Sequence, residues 1–143
     1  MPEHTYSPVI PFLRYADPTA AVEFLVSAFG FERFDIVTAP DGTVVHAELS
    51  YGPATVQLGG ASPQGRLAMD SPRQLPLTSQ GVYVCVSDSD AEVDAHFTQA
   101  VAAGAEVLWE PHDTSYGARD YAVKDLEGHI WSFGTYLPGR TTG

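Results

Sequence analysis

Apolar and polar positions alternate over short runs along most of the chain, and only two stretches change to a helical period. The first spans residues 18–29. Asp17-Pro18 gives it a cap and a proline in the first turn, Gly30 stops it, and Val22, Leu25 and Phe29 fall on one face. The second opens on Ser89-Asp90-Ala91-Glu92, the spacing of a capping box, carries Val93, Phe97 and Val101 as its apolar stripe, and ends at Gly104. Strand patterns surround both. They cover residues 9–15, 31–38, 43–50 and 54–59, then 82–86, 105–109, 120–124 and 129–136, with turns at Asp41-Gly42, Gly52-Pro53 and Glu127-Gly128. The order strand, helix, three strands therefore occurs twice. Setting Ala54-Thr55-Val56-Gln57-Leu58-Gly59 on His129-Ile130-Trp131-Ser132-Phe133-Gly134 aligns the last strand of each half, a repeat of pattern rather than of residues. Between the halves, residues 61–80 read as a proline- and glycine-rich linker in which Leu67-Ala68-Met69 is apolar enough to lie over a pocket.

A chain of 143 residues can bury about two-thirds of its unfolded surface, and its 44% apolar and 17% charged residues are a globular composition. No apolar run approaches the roughly 20 residues that span a bilayer, and Met1-Pro2-Glu3-His4 lacks the layout of a signal peptide, so no membrane role and a cytoplasmic location are expected. The net charge of −11 repels a phosphate backbone, which argues against nucleic acid as a partner; it serves first to keep the surface soluble, and on a sharper reading draws a cationic ligand. Cys85 is the only cysteine and, by alternation with Val84 and Val86, is expected against the helix layer. No glycine-rich phosphate loop, Gly-x-Ser-x-Gly elbow or paired zinc-type cysteines occur.

With the Asp17-to-Gly30 helix and the run from Tyr116-Gly117-Ala118-Arg119 to Asp125-Leu126-Glu127-Gly128-His129-Ile130-Trp131-Ser132-Phe133 in place, the chain resembles the vicinal oxygen chelate superfamily. That group includes glyoxalases, extradiol dioxygenases and bleomycin-resistance proteins, and the nearest branch looks like the PhnB-like, glyoxalase-like one. Leu126 stands where the family usually has proline. The resemblance implies an α+β fold of two βαβββ modules, curved half-barrel sheets with helices on the convex side. It implies one domain over residues 1–143, with module 1 about 8–60 and module 2 about 81–136, and a homodimer. Metal-dependent members take one ligand from the first and one from the last strand of each module, which maps to Ile10, Gln57, Val82 and Ser132. Two aliphatics, an amide and a hydroxyl lack the charge and ligand number for a divalent metal, so no metal and no cofactor are expected.

His46 and Glu48 share one strand face at i and i+2, and Glu110 and His112 repeat that spacing, without anything to bring the pairs together. His129, alternating with Trp131 and Phe133, reads as a hydrogen-bonded core histidine; His4 and His96 carry no signal. Alternation sets Phe12 and Arg14, and Val84 and Val86, on the pocket side. Gln57, Thr55, Ser132 and Ile130 complete its floor, and Trp109, Tyr116, Arg119 and Tyr121 close its rim from a long second-half loop. The ligand set expected is Phe12, Arg14, His46, Glu48, Gln57, Val84, Trp109, Tyr116, Arg119 and Ser132, with no catalytic residue assigned. As a set these residues suit a flat organic ligand, and the resemblance implies binding of a small organic molecule, aromatic and cationic, as in the members that sequester a drug or toxic metabolite. The alternative is a glyoxalase-like lyase or isomerase, or a dioxygenase-type enzyme, whose metal is displaced or absent.

Overall fold

The computed structural model describes residues 7–139, which leaves His4 and the opening Met1-Pro2-Glu3-His4 segment outside the described residues. The chain divides into two compact units, one running to Leu77 and one beginning at Thr78. Among the described residues each holds one α-helix and one four-stranded mixed sheet, and neither sheet closes into a barrel. The first comprises β1 (Phe12–Tyr15), α1 (Pro18–Phe29), β2 (Glu32–Thr38), β3 (Val44–Tyr51) and β4 (Ala54–Gly60), in sheet order β1-β4-β3-β2. The second repeats it with β5 (Gly81–Cys85), α2 (Asp90–Ala102), β6 (Glu106–Asp113), β7 (Arg119–Lys124) and β8 (Ile130–Gly134), in order β5-β8-β7-β6. The α+β class and the doubled βαβββ order expected from the sequence are therefore present. Among the described residues no helix is long and apolar enough to cross a membrane.

The caps explain where the helices begin. Asp17 accepts the Ala20 amide at 3.1 Å, and Ser89 accepts that of Glu92 at 3.3 Å, satisfying donors that a first turn leaves without intrahelical partners. Gly30, at φ +81°, ends α1 in the left-handed region, where a side chain would be strained. The two helices then differ in what they bury. On α1, Ala21, Val22, Phe24, Leu25, Ala28 and Phe29 all pack inward, whereas α2 buries only Val93 and Ala100. Phe97 is half-buried against Tyr121, with ring centroids 5.1 Å apart, and Val101 is exposed, contrary to the expected stripe. The reason is angular: seven residues bring a helix back to nearly the same direction and eight overshoot it, so Ala100 rather than Val101 completes the row begun by Val93.

Register fixes which side chains share a face. In the first unit Leu13, Tyr15, Ala47, Leu49, Val56 and Leu58 alternate with Phe12, Arg14, His46, Glu48 and Gln57, and Tyr15, Ala47, Leu49, Val56 and Leu58 are buried beneath α1. The second set lines the open face. In the second unit Val82 lies opposite Trp131 and Val84 opposite Phe133, while Tyr83 lies opposite Ser132. Phe133 faces α2, with its ring 4.5 Å from that of His96. Val82 and Val84 therefore belong to the helix side, and Tyr83 and Cys85 to the open face, one residue out of phase with the expectation.

Residues 61–80 are not a featureless linker. Ser62 and Met69 form a β-bridge, Pro72–Gln74 is a 3-10 turn capped by the buried Ser71, and all of it up to Leu77 belongs to the first unit. The loop between β6 and β7 is shorter than expected, because β6 runs on to Asp113 and a turn from Thr114 to Ala118 closes directly into β7.

Candidate functional site

The open face of the first sheet carries two rows of side chains set by register. One runs Phe12, Gln57, Glu48, Asp35 across β1, β4, β3 and β2; the next runs Arg14, Gly59, His46, Val37. At their β1 and β4 end the surface sinks into a cleft of about 280 Å³, lined by Phe12, Arg14, His46, Gln57 and Gly59, with Leu67 reaching in from the segment after β4. Gly59 makes room for the Arg14 side chain. A β-carbon at that position would lie 2.6 Å from a terminal nitrogen of Arg14, so the bare backbone leaves space for the guanidinium to lie across it. The result is an apolar wall of Phe12 and Leu67 facing an arginine, an imidazole and a primary amide. Glu48 borders Gln57 just outside this lining.

Four of the ten expected ligand residues, Phe12, Arg14, His46 and Gln57, thus meet in one cleft, with Glu48 beside it. The others belong to the second unit and divide between its faces. Val84 faces the helix. Arg119 also lies on the helix side, its Nε donating to Asp94 of α2 at 2.8 Å and a terminal nitrogen to Asp113 at 3.1 Å. Those two carboxylates raise its pKa, so Arg119 is a charged clasp between α2 and the sheet rather than a rim residue. Tyr121 is fully buried, with its hydroxyl 2.6 Å from Nδ1 of His96, which removes it from the rim as well. Ser132 is on the open face and donates to the carbonyl of Tyr121 at 3.2 Å. Trp109 is half-exposed against His112, and Tyr116 is exposed on the β6–β7 turn. A bulge between Trp109 and His112 breaks the alternation on which a Glu110 and His112 pair would depend.

The Asp-x-x-Gly-His-x-Trp run is structural. Asp125, 6% exposed, accepts the amides of Glu127 and His129 through Oδ1 and the Trp131 indole N–H through Oδ2, at 3.0, 3.1 and 3.0 Å. It ties the β7–β8 turn to the core, and His129 sits half-buried at the end of that turn with its backbone paired to Asp125. Leu126, the departure from the family pattern, is exposed in the turn and touches no site.

A family model of the glyoxalase, bleomycin resistance protein and dioxygenase superfamily matches residues 6–133. The chain belongs to that superfamily. It is 36% identical over 126 residues to the uncharacterized protein Rv0887c of Mycobacterium tuberculosis, an alignment covering 87% of this chain and 71% of that protein. Among solved structures, TioX from Micromonospora sp. ML1 is 35% identical, with a TM-score of 0.70 over 94% of this chain and all of that one. Lactoylglutathione lyase from Agrobacterium tumefaciens, 23% identical with a TM-score of 0.64 over 90% of this chain and 92% of that one, shares the fold.

The metal that some superfamily members hold does not fit these residues. Register places Phe12, not Ile10, opposite Gln57, and Tyr83, not Val82, opposite Ser132. The first-strand and last-strand positions of the two units then offer a phenyl ring, an amide, a phenol and a hydroxyl already donated to a backbone carbonyl. None is a carboxylate, imidazole or thiolate, the side chains that commonly ligate a divalent transition-metal ion. Among the described residues no three His, Cys, Asp or Glu side chains gather as a metal-holding group.

Proposed function

We propose that this superfamily member binds a small organic molecule in the first-unit cleft and holds it without chemical change. The observation that carries the reading is the composition of the cleft: an apolar wall from Phe12 and Leu67 and three convergent polar groups, Arg14, His46 and Gln57, over the bare backbone of Gly59. Ligand pockets of soluble proteins have this make-up, with apolar contact supplying affinity and a few polar groups fixing orientation. The cleft contains a guanidinium of its own, so the occupant it suits is a flat molecule with a carbonyl or carboxylate acceptor. A cation there would meet Arg14 at close range.

The test is a thermal-shift panel of planar aromatic carboxylates and amides, each beside a cationic counterpart, on the wild type and on Gly59→Leu. A compound present at 100 times its dissociation constant stabilises the folded state by about 2.7 kcal/mol, a rise of roughly 5–10 °C for a chain of this size. A β-carbon at that position meets only the flexible end of Arg14, so the unliganded melting temperature should move little, whereas the rise on ligand addition should vanish. Equal binding by wild type and Gly59→Leu would place the ligand elsewhere and defeat the proposal.

A further inference from the structure

The second unit has a different concentration of chemistry on its open face. Tyr83 of β5, Tyr116 of the β6–β7 turn and Tyr136 just after β8 are 41%, 63% and 46% exposed. They are ordered with respect to one another. The Tyr136 ring meets that of Tyr83 at 62° with centroids 6.4 Å apart, and that of Tyr116 at 82° and 5.8 Å. The Tyr83 hydroxyl donates to the Tyr136 carbonyl at 2.7 Å, fixing the central pair. Partial burial and the nearby Cys85, Asp120 and Tyr116 push the Tyr83 phenol pKa upward, so it remains a donor at neutral pH.

A carboxylate lies under this group. Asp120 of β7 is 13% exposed, its Oδ1 is buried without a hydrogen bond, and the nearest cation-forming group is Nε2 of His112 at 3.4 Å. Its proximity to Tyr83 shows at Gly134, where a β-carbon would sit 2.7 Å from Cβ of Asp120 and 3.0 Å from the Tyr83 hydroxyl. No side chain fits at Gly134, and the tyrosine and the aspartate converge above it. Two aromatic rings at steep angles to a third, beside a largely buried carboxylate, are the components that attract an alkylammonium group: ring faces through their quadrupoles, the carboxylate through its oxygens.

We propose that Tyr83, Tyr116, Tyr136 and Asp120, all of the second unit, form a binding site for an organic ammonium ion. The excess of acidic residues, a net −11, would raise the local concentration of such a cation. This inference stands on residues of the second unit alone and does not rest on the cleft.

The experiment titrates the full chain with choline and, in parallel, with 3,3-dimethylbutan-1-ol, its uncharged carbon counterpart, at constant ionic strength, following aromatic proton signals by NMR. Choline should bind with a dissociation constant below about 10 mM and the alcohol at least about tenfold more weakly. Tyr116→Ala, at an exposed turn position, should weaken choline about fivefold or more, and Tyr116→Phe, which keeps the ring, should not. Asp120→Asn should weaken choline and leave the alcohol unchanged. Equal binding of the two compounds, or no choline binding in that range, overturns the proposal. Choline binding that falls in Gly59→Leu but not in Tyr116→Ala also overturns it, because the cation would then occupy the first-unit cleft. Failure here leaves the cleft's own panel of acceptors to be decided separately.

Discussion

Replacing Asp125 with alanine should lower the unfolding free energy by roughly 3–4 kcal/mol, a large loss for one side chain in a turn. Its carboxylate is the shared acceptor for two turn amides and for the indole of Trp131, whose ring is fully buried. Alanine leaves those donors without an acceptor in a place water reaches poorly, and a buried donor left unsatisfied costs about 1–3 kcal/mol. Asp125→Asn should fall between, because its amide oxygen can serve the turn while its NH₂ opposes the indole N–H, or the reverse. Urea unfolding followed by circular dichroism gives the answer. A loss under about 1 kcal/mol for the alanine variant would mean that the turn holds without this side chain.

The second large effect should come from Phe133→Ala, about 3–5 kcal/mol. Because α2 buries only Val93 and Ala100, it supplies little of its own core. What it packs on is an aromatic layer: Tyr121 stacked on Phe133 at 5.3 Å, Trp131 parallel to Phe133 at 6.3 Å, and His96 at 4.5 Å. Removing the central ring takes the contact from three others at once. Amide exchange should show α2 losing protection while α1, which rests on its own Leu25 and Phe29, keeps it. If α1 loses protection to the same extent, the aromatic layer is not a local support of the second unit.

These contacts also explain which parts of the structure the sequence announced. Both helices were legible because caps and stops are local: Asp17, Gly30 and Ser89 act within a few residues of themselves. The cleft face of the first sheet was legible for a similar reason. Polar Arg14, His46, Glu48 and Gln57 alternate with apolar neighbours, so only one phase buries the right set. In β5 that contrast is missing. Val82-Tyr83-Val84-Cys85-Val86 is apolar at every position, a one-residue slip carries no penalty visible in the pattern, and Tyr83 was hidden while Val84 was misplaced.

Arg119 was misread because its partner Asp94 lies on a different element, 25 residues away, where no local spacing signals it. His96 and Tyr121 meet across the same gap. The bulges of β6 likewise depend on pairing with β7, so the extent of that strand and the orientation of His112 emerged only with the sheet. Tyr136, beyond the end of β8, entered the tyrosine group through a ring contact and a backbone carbonyl, features that leave no periodic trace.

The most direct measurement of the central claim is an amide and side-chain NMR map of the labelled protein with the best compound from the acceptor panel. The cleft account predicts the largest shifts at Phe12, Arg14, His46, Gln57, Gly59 and Leu67, saturating together and absent in Gly59→Leu. Shifts confined to the second unit, or none with any compound in the panel, would contradict it.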